Sequence, residues 1–184
     1  MSYLILIAGV ALWSAAHLFK RLMPSRRAAM GEKGKGLVAV LLLVSIVLMV
    51  VGYRSAGVDV LWSPPTFLTH LNNLLMLIAV YFFVADGLRT WITTKVRHPQ
   101  LTGFKTWAVG HLLVNGDLAS VILFGGLLAW AVVSVVKINR AQPDWEAQHK
   151  APGVAKEAAA IVITIVALVA IGWVHAWLGY WPYG

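Results

Sequence analysis

The chain has 184 residues, 60% of them apolar, with a mean hydropathy of +0.78, a net charge of +8 and no cysteine. A soluble domain of this size does not carry apolar runs this long, so the composition points to an integral membrane protein; the missing cysteines exclude disulfides, iron–sulfur clusters, c-type haem attachment and thiolate ligation of a metal. The positive charge does not point to nucleic acid, because it sits in short segments flanking apolar runs, where membrane topology and contact with anionic lipid account for it.

A membrane-crossing helix needs roughly 20 mostly apolar residues, and six segments answer to that in chain order: 3–20, 37–53, 66–88, 101–116, 118–137 and 157–178. The first, within MSYLILIAGVALWSAAHLFK, lacks a basic stretch ahead of its apolar run and a small-residue cleavage site, so it is expected to stay as a helix rather than leave as a signal peptide. RLMPSRRAAMGEKGKG follows it, and by weight of glycine, proline and charge reads as a surface or interfacial connection. YRSAGVDVLWSPPTF joins the second and third spans. Arg97 and His98 then precede Pro99, whose fixed φ and missing N–H suit the first turn of the fourth helix. The fourth span is short and meets the fifth at NGD, a turn signal that makes the two a tight helical hairpin. INRAQPDWEAQHKAPGVAK, which contains His149 as a solvated residue, leads to the sixth span, and WLGYWPYG closes the chain. Trp62, Trp177, Tyr180 and Trp181 fall where an interfacial aromatic belt belongs.

Of the fifteen Lys and Arg residues, all but Arg54 lie on one face of a six-span arrangement. Basic residues are retained on the cytoplasmic side. The expected architecture is therefore an all-α integral membrane protein: one domain over 1–184, a six-helix transmembrane bundle with both termini outside the cytoplasm.

Four histidines lie inside these spans, one each on the first, third, fourth and sixth: His17, His70, His111 and His175. Ionisable groups in hydrocarbon are costly and by default mark function, although a neutral imidazole can equally serve as a cross-helix hydrogen-bonding group. Each histidine shares a helical stripe with polar, aromatic or small residues: His17 with Trp13 and Ser14, His70 with Asn73, His111 with Trp107 and Asn115, His175 with Gly172 and Gly179. These faces are expected to point inward, with His17 and His111 in the cytoplasmic half and His70 and His175 in an outer layer. Zinc hydrolysis chemistry wants three ligands and usually a carboxylate base, and the helix interiors offer only Asp86 and Asp117, near helix ends. Bis-imidazole ligation of haem iron fits the residues better, since it needs one histidine from each of two helices, apolar walls and basic groups for the propionates. Lys20, Arg21, Arg97 and Lys105 supply such groups near the cytoplasmic pair. A structural polar network remains the alternative, with the histidines bonded to Asn73, Asn115 or backbone groups. A second haem between His70 and His175 is not expected, because only Arg54 is basic on that side.

AAHLFK, LWSPPTFLTHLNNLLML, RHPQLTG, GHLLVNGD and VHAWL, in this order, resemble the NnrU family of bacterial membrane proteins over nearly the whole chain. That family is similar to the plant zeta-carotene isomerase, an integral membrane enzyme that uses haem b to convert a cis polyene bond, and whose histidine motifs match His17, His70 and His111. The resemblance implies haem b with His111 and His17 as axial ligands and His70 as the alternate; Arg97, Lys105 or Arg21 would steady the propionates, and Trp107 and Trp13 would wall the ring. His98 belongs to the same motif. The isomerase carries a cysteine three residues before its match to His111, where this chain has Ala108, so a switch to thiolate ligation is impossible here. The family name implies nitrite and nitric oxide metabolism in denitrifying bacteria, with nitric oxide reductase or another redox protein as partner. A carotenoid-like polyene as substrate, or a haem-free scaffold or transporter, are the competing readings. Arg-His-Pro also opens a helix in isoprenylcysteine methyltransferases, but NRAQPDWEAQHK lacks the paired glutamates that follow there.

Overall fold

The computed structural model describes residues 1–147 and 149–183. It is all-α, with no strand among the described residues, and seven helices follow in chain order: α1 (Ser2–Leu22), α2 (Pro24–Ala29), α3 (Gly31–Ser55), α4 (Leu68–Leu88), α5 (Pro99–Val114), α6 (Leu118–Ala141) and α7 (Val154–Trp177). Five of them, α1, α3, α4, α6 and α7, are long and apolar enough to cross a membrane. α5 has 16 residues, a rise of about 24 Å at ~1.5 Å per residue, short of the ~30 Å hydrocarbon core. The six expected spans thus become five of membrane length and a shorter sixth helix that starts at Pro99 and ends at the NGD turn, as its flanking residues required.

Packing divides the chain into two compact units, Met1–Ser63 with Asn115–Ala141, and Pro64–Val114 with Gln142–Gly184. The first contains α1, α2, α3 and α6. α1 and α3 approach backbone to backbone through two glycines: a Cβ on Gly52 would stand 2.5 Å from the Leu6 amide nitrogen, and one on Gly9 would stand 2.8 Å from that of Met49. Leu6 and Ser45 are completely buried along this seam. Van der Waals packing of small residues is the main attraction left to helices in lipid, where apolar burial gains nothing from one neighbour over another. Both helices are tied together at one end, where Ser2 Oγ donates to the Ser55 carbonyl at 2.8 Å and the Tyr3 hydroxyl donates to Asp59 Oδ2 at 2.6 Å.

α6 begins on Asp117, whose Oδ1 accepts from the Ser120 amide at 2.9 Å while Oδ2 accepts from the Ser120 hydroxyl at 2.6 Å. The Tyr53 hydroxyl meets the same Ser120 oxygen at 2.9 Å, joining α3 to the cap. One turn later the ladder slips into a π-turn, Val121–Gly125. A π-turn inserts one residue and re-aims every side chain downstream, among them Trp130.

The second unit packs α5 and α7 on α4. Gly103 of α5 lies against the Ala79 carbonyl, 2.7 Å from where its Cβ would be. α4 ends on Arg89 in the left-handed region (φ 54°), its amide reaching back to Ala85 and Asp86. A 3-10 turn, Trp91–Thr94, follows; its first amide, Trp91 N–H, donates to Glu157 Oε1 of α7 at 2.6 Å.

One connection departs from expectation. RLMPSRRAAMGEKGKG is helical almost throughout, broken only at Met23 and at Met30, so α3 starts six residues before the apolar run does. Hydropathy tests for burial, not for helicity. Glu32, Lys33 and Lys35 are good helix formers, and Glu32 and Lys35 pair at 2.7 Å one turn apart.

Candidate functional site

The sequence WSAAH in α1 and WAVGH in α5 places a tryptophan four residues before a histidine, one turn away on the same face. In the first unit the His17 Nδ1 lies 3.2 Å from the Trp13 carbonyl oxygen, and in the second the His111 Nδ1 lies 3.0 Å from that of Trp107. His175 repeats the bond, Nδ1 to the Ile171 carbonyl at 2.8 Å. A carbonyl can only accept, so in each case the proton is on Nδ1 and the lone pair of the neutral imidazole is on Nε2. That is the tautomer and fixed ring orientation of a metal-ligating histidine whose other nitrogen is held by a second group. The same bond satisfies the haem-free expectation of a backbone-bonded histidine.

Around His17 the rings close in. Trp13 stacks on it with centroids 4.2 Å apart and a 39° tilt, Trp130 of α6 meets it edge-on at 4.7 Å, and the two indoles meet each other at 5.5 Å. His17 is half-buried, and the Trp13 Nε1 is a buried donor without a partner among the described residues. Ser14, expected on this polar stripe, spends its hydroxyl on the Val10 carbonyl. Arg21, one turn beyond, is exposed.

His111 is also half-buried, with Trp107 tilted over it at 4.9 Å and Phe104 against Trp107 at 5.1 Å. The two tryptophans expected to wall a cofactor therefore lie first against the imidazole of their own helix. Ala108 is completely buried. Arg97 donates a guanidinium N–H to the Gln142 carbonyl, while Lys105 is half-buried on α5.

The remaining sequence candidates divide. His70 is exposed near the start of α4 rather than directed into the unit, because the buried positions of α4 are Asn72, Ala79 and Ala85, and residues two apart on a helix point about 200° from each other. Asn73 donates its amide to the Tyr183 carbonyl at 3.3 Å instead of serving His70. Asn115 falls past the end of α5 and belongs to the first unit, so it does not extend the stripe of Trp107 and His111 along that helix. His98 is half-buried just before Pro99, its carbonyl accepting from the Thr102 amide. His149 is not a solvated loop residue: its Nε2 lies 2.8 Å from the Thr93 hydroxyl and its Nδ1 3.0 Å from the Lys150 carbonyl. Trp130 was invisible as a site residue; its one signal is an indole in mid-span, far from the interface where a belt tryptophan would sit.

Among the described residues no three His, Asp or Glu side chains gather as a metal-binding group. What each unit offers is one oriented imidazole in an aromatic setting, a donor set that suits an iron held mainly by its macrocycle rather than a bare cation. The orphaned Trp13 N–H beside His17 is a further group that a bound acceptor, such as a carboxylate, would satisfy.

The model of one family, NnrU protein, matches residues 5–182. No curated protein and no solved structure matches the chain.

Proposed function

The chain belongs to the NnrU family, a family linked to denitrification, and from that premise we propose that it is a haem b protein of the bacterial inner membrane, with the Nε2 atoms of His17 and His111 as axial ligands. The observation that carries this reading is the repeated W-x-x-x-H unit, in which the main-chain carbonyl of each tryptophan holds Nδ1–H and presets Nε2 as the coordinating atom. Haem held by these imidazoles would supply one-electron transfer. The chain's role is then redox support of a partner in nitric oxide metabolism, nitric oxide reductase being the partner the family link favours. Trp13 and Trp130 fix the His17 ring and exclude water from it; Trp107 does the same for His111. Lys105 and Arg21, and Arg97 beyond its bond to Gln142, are the cations available to propionates. His70, exposed on α4, is the alternate ligand. A polyene isomerase would need a replacement for the thiolate, and the buried methyl of Ala108 is not one.

The topology belongs to the same proposal. α5 crosses as the sixth span, extended at its ends by the segment before Pro99 and by the NGD turn, which puts both termini on the periplasmic side and all basic residues except Arg54 opposite. Because the chain has no cysteine, single introduced cysteines at positions 2, 35, 57, 95 and 150 report sidedness without background labelling.

Purified protein supplemented with haem during expression should be red, with a Soret band that shifts on reduction and about one haem per chain by pyridine haemochrome. His17→Ala and His111→Ala should each abolish the low-spin spectrum, while His149→Ala should leave it intact. A colourless wild type with unchanged helicity would end the haem reading in favour of a scaffold or transporter.

A further inference from the structure

Six cations crowd the corner between α1 and α3: Lys20, Arg21, Arg26, Arg27, Lys33 and Lys35. The one carboxylate among them, Glu32, is paired with Lys35. The short helix α2 holds the middle of this run, and every one of the six is exposed except Arg27.

Arg27 is held. Its Nη1 donates to the Gly31 carbonyl at 3.0 Å, and its guanidinium occupies the space above Gly34, where a Cβ would stand 2.7 Å from Nη1 and 3.1 Å from Cζ. A guanidinium has five N–H donors, so the bond to Gly31 orients the fork and leaves most of it for an outside acceptor. Fixing the side chain beforehand removes part of the ordering cost that a flexible arginine would meet on binding. Leu22 and Met23, at the turn between α1 and α2, are about half exposed, which gives the same corner an apolar edge.

We propose that this corner is a binding site for the phosphate headgroup of an anionic phospholipid, with Arg27 as the oriented contact, Arg26 and Lys33 as flanking charges, and Leu22 and Met23 against the acyl chains. Charge complementarity selects the partner: clusters of four or more Lys and Arg next to a span attract acidic lipid, and a planar guanidinium matches phosphate oxygens in pairs. The apolar edge beside the cations favours a lipid over free phosphate. The site is independent of the haem proposal and stands or falls separately.

The test uses the full chain in neutral detergent, titrated with phosphatidylglycerol, with phosphatidylcholine and with inorganic phosphate, bound lipid being read by native mass spectrometry. Phosphatidylglycerol should be retained about tenfold or more over phosphatidylcholine, with retention falling as salt rises. The triple variant R26Q/R27Q/K33Q should lose that preference, whereas K137Q/R140Q, which removes charge elsewhere, should keep it. Arg27→Lys preserves every charge but loses the planar five-donor fork, so it should weaken retention several-fold while far-ultraviolet circular dichroism and melting stay near wild type. Equal retention of both lipids would overturn the proposal, as would competition by inorganic phosphate at millimolar concentration. If Arg27→Lys is indistinguishable from wild type in lipid retention, Arg27 is not the oriented contact and the site as argued is wrong.

Discussion

Gly52→Ala is the sharpest test of how α1 and α3 are held together. The added methyl would lie 2.5 Å from the Leu6 amide nitrogen, 2.7 Å from its Cα and 2.9 Å from its Cβ. Carbon contacts are comfortable at about 3.5–4.0 Å, so the helices must part by roughly 1 Å, and the first two obstacles are backbone atoms that no rotamer change can move. Overpacking of this kind costs about 1–3 kcal/mol, and rigid neighbours argue for the upper half. Alanine recovers about 0.8–1.0 kcal/mol of helix propensity, leaving a net loss of about 1–2 kcal/mol. Gly36→Ala, on the same helix, is the matched control: nothing lies within 4 Å of its Cβ position, so it should be neutral or stabilising by up to about 1 kcal/mol. The two alanines should differ by about 1–3 kcal/mol in reversible unfolding in mixed micelles. Equal midpoints for Gly52→Ala and Gly36→Ala would refute the reasoning, because they would mean the glycine seam does not determine how closely α1 and α3 approach.

Ser120→Ala should be costly for its size: it strips Tyr53 and Asp117 of a shared, fully buried partner, so a loss of about 1–3 kcal/mol is expected in the same unfolding assay. Arg89→Gly should raise the melting temperature, since the residue caps α4 at φ 54° and a left-handed non-glycine costs roughly 1–2 kcal/mol; an unchanged or lowered temperature counts against that cap. Trp130→Leu should leave haem content near wild type but broaden the low-spin electron paramagnetic resonance signal, because the His17 ring loses its edge-on neighbour at 4.7 Å and with it one constraint on its orientation. An unaltered signal would remove Trp130 from the site.

Much of this protein is written in local sequence. Apolar runs gave the long helices, Pro99 and NGD bounded the shortest apolar one, and W-x-x-x-H put each aromatic ring over its histidine, since residues four apart on a helix are neighbours whatever the tertiary fold. The bond from Nδ1 to the carbonyl four residues back is equally local, so the tautomer of His17 and His111 is determined before any packing occurs. Which face of a helix is buried is a different kind of fact. Asn72 and Asn73 are adjacent and identical, yet one is buried and the other reaches Tyr183; His70 was assigned an inward face by its spacing to Asn73 and turned out exposed. The same holds for Trp130, brought to His17 from more than 100 residues along the chain by a π-turn that no pattern announces, and for His149, whose partner Thr93 lies in another segment. Periodicity along a helix follows from backbone geometry, but in a chain this uniformly apolar every face looks fit for burial, and only close contact between particular side chains chooses among them.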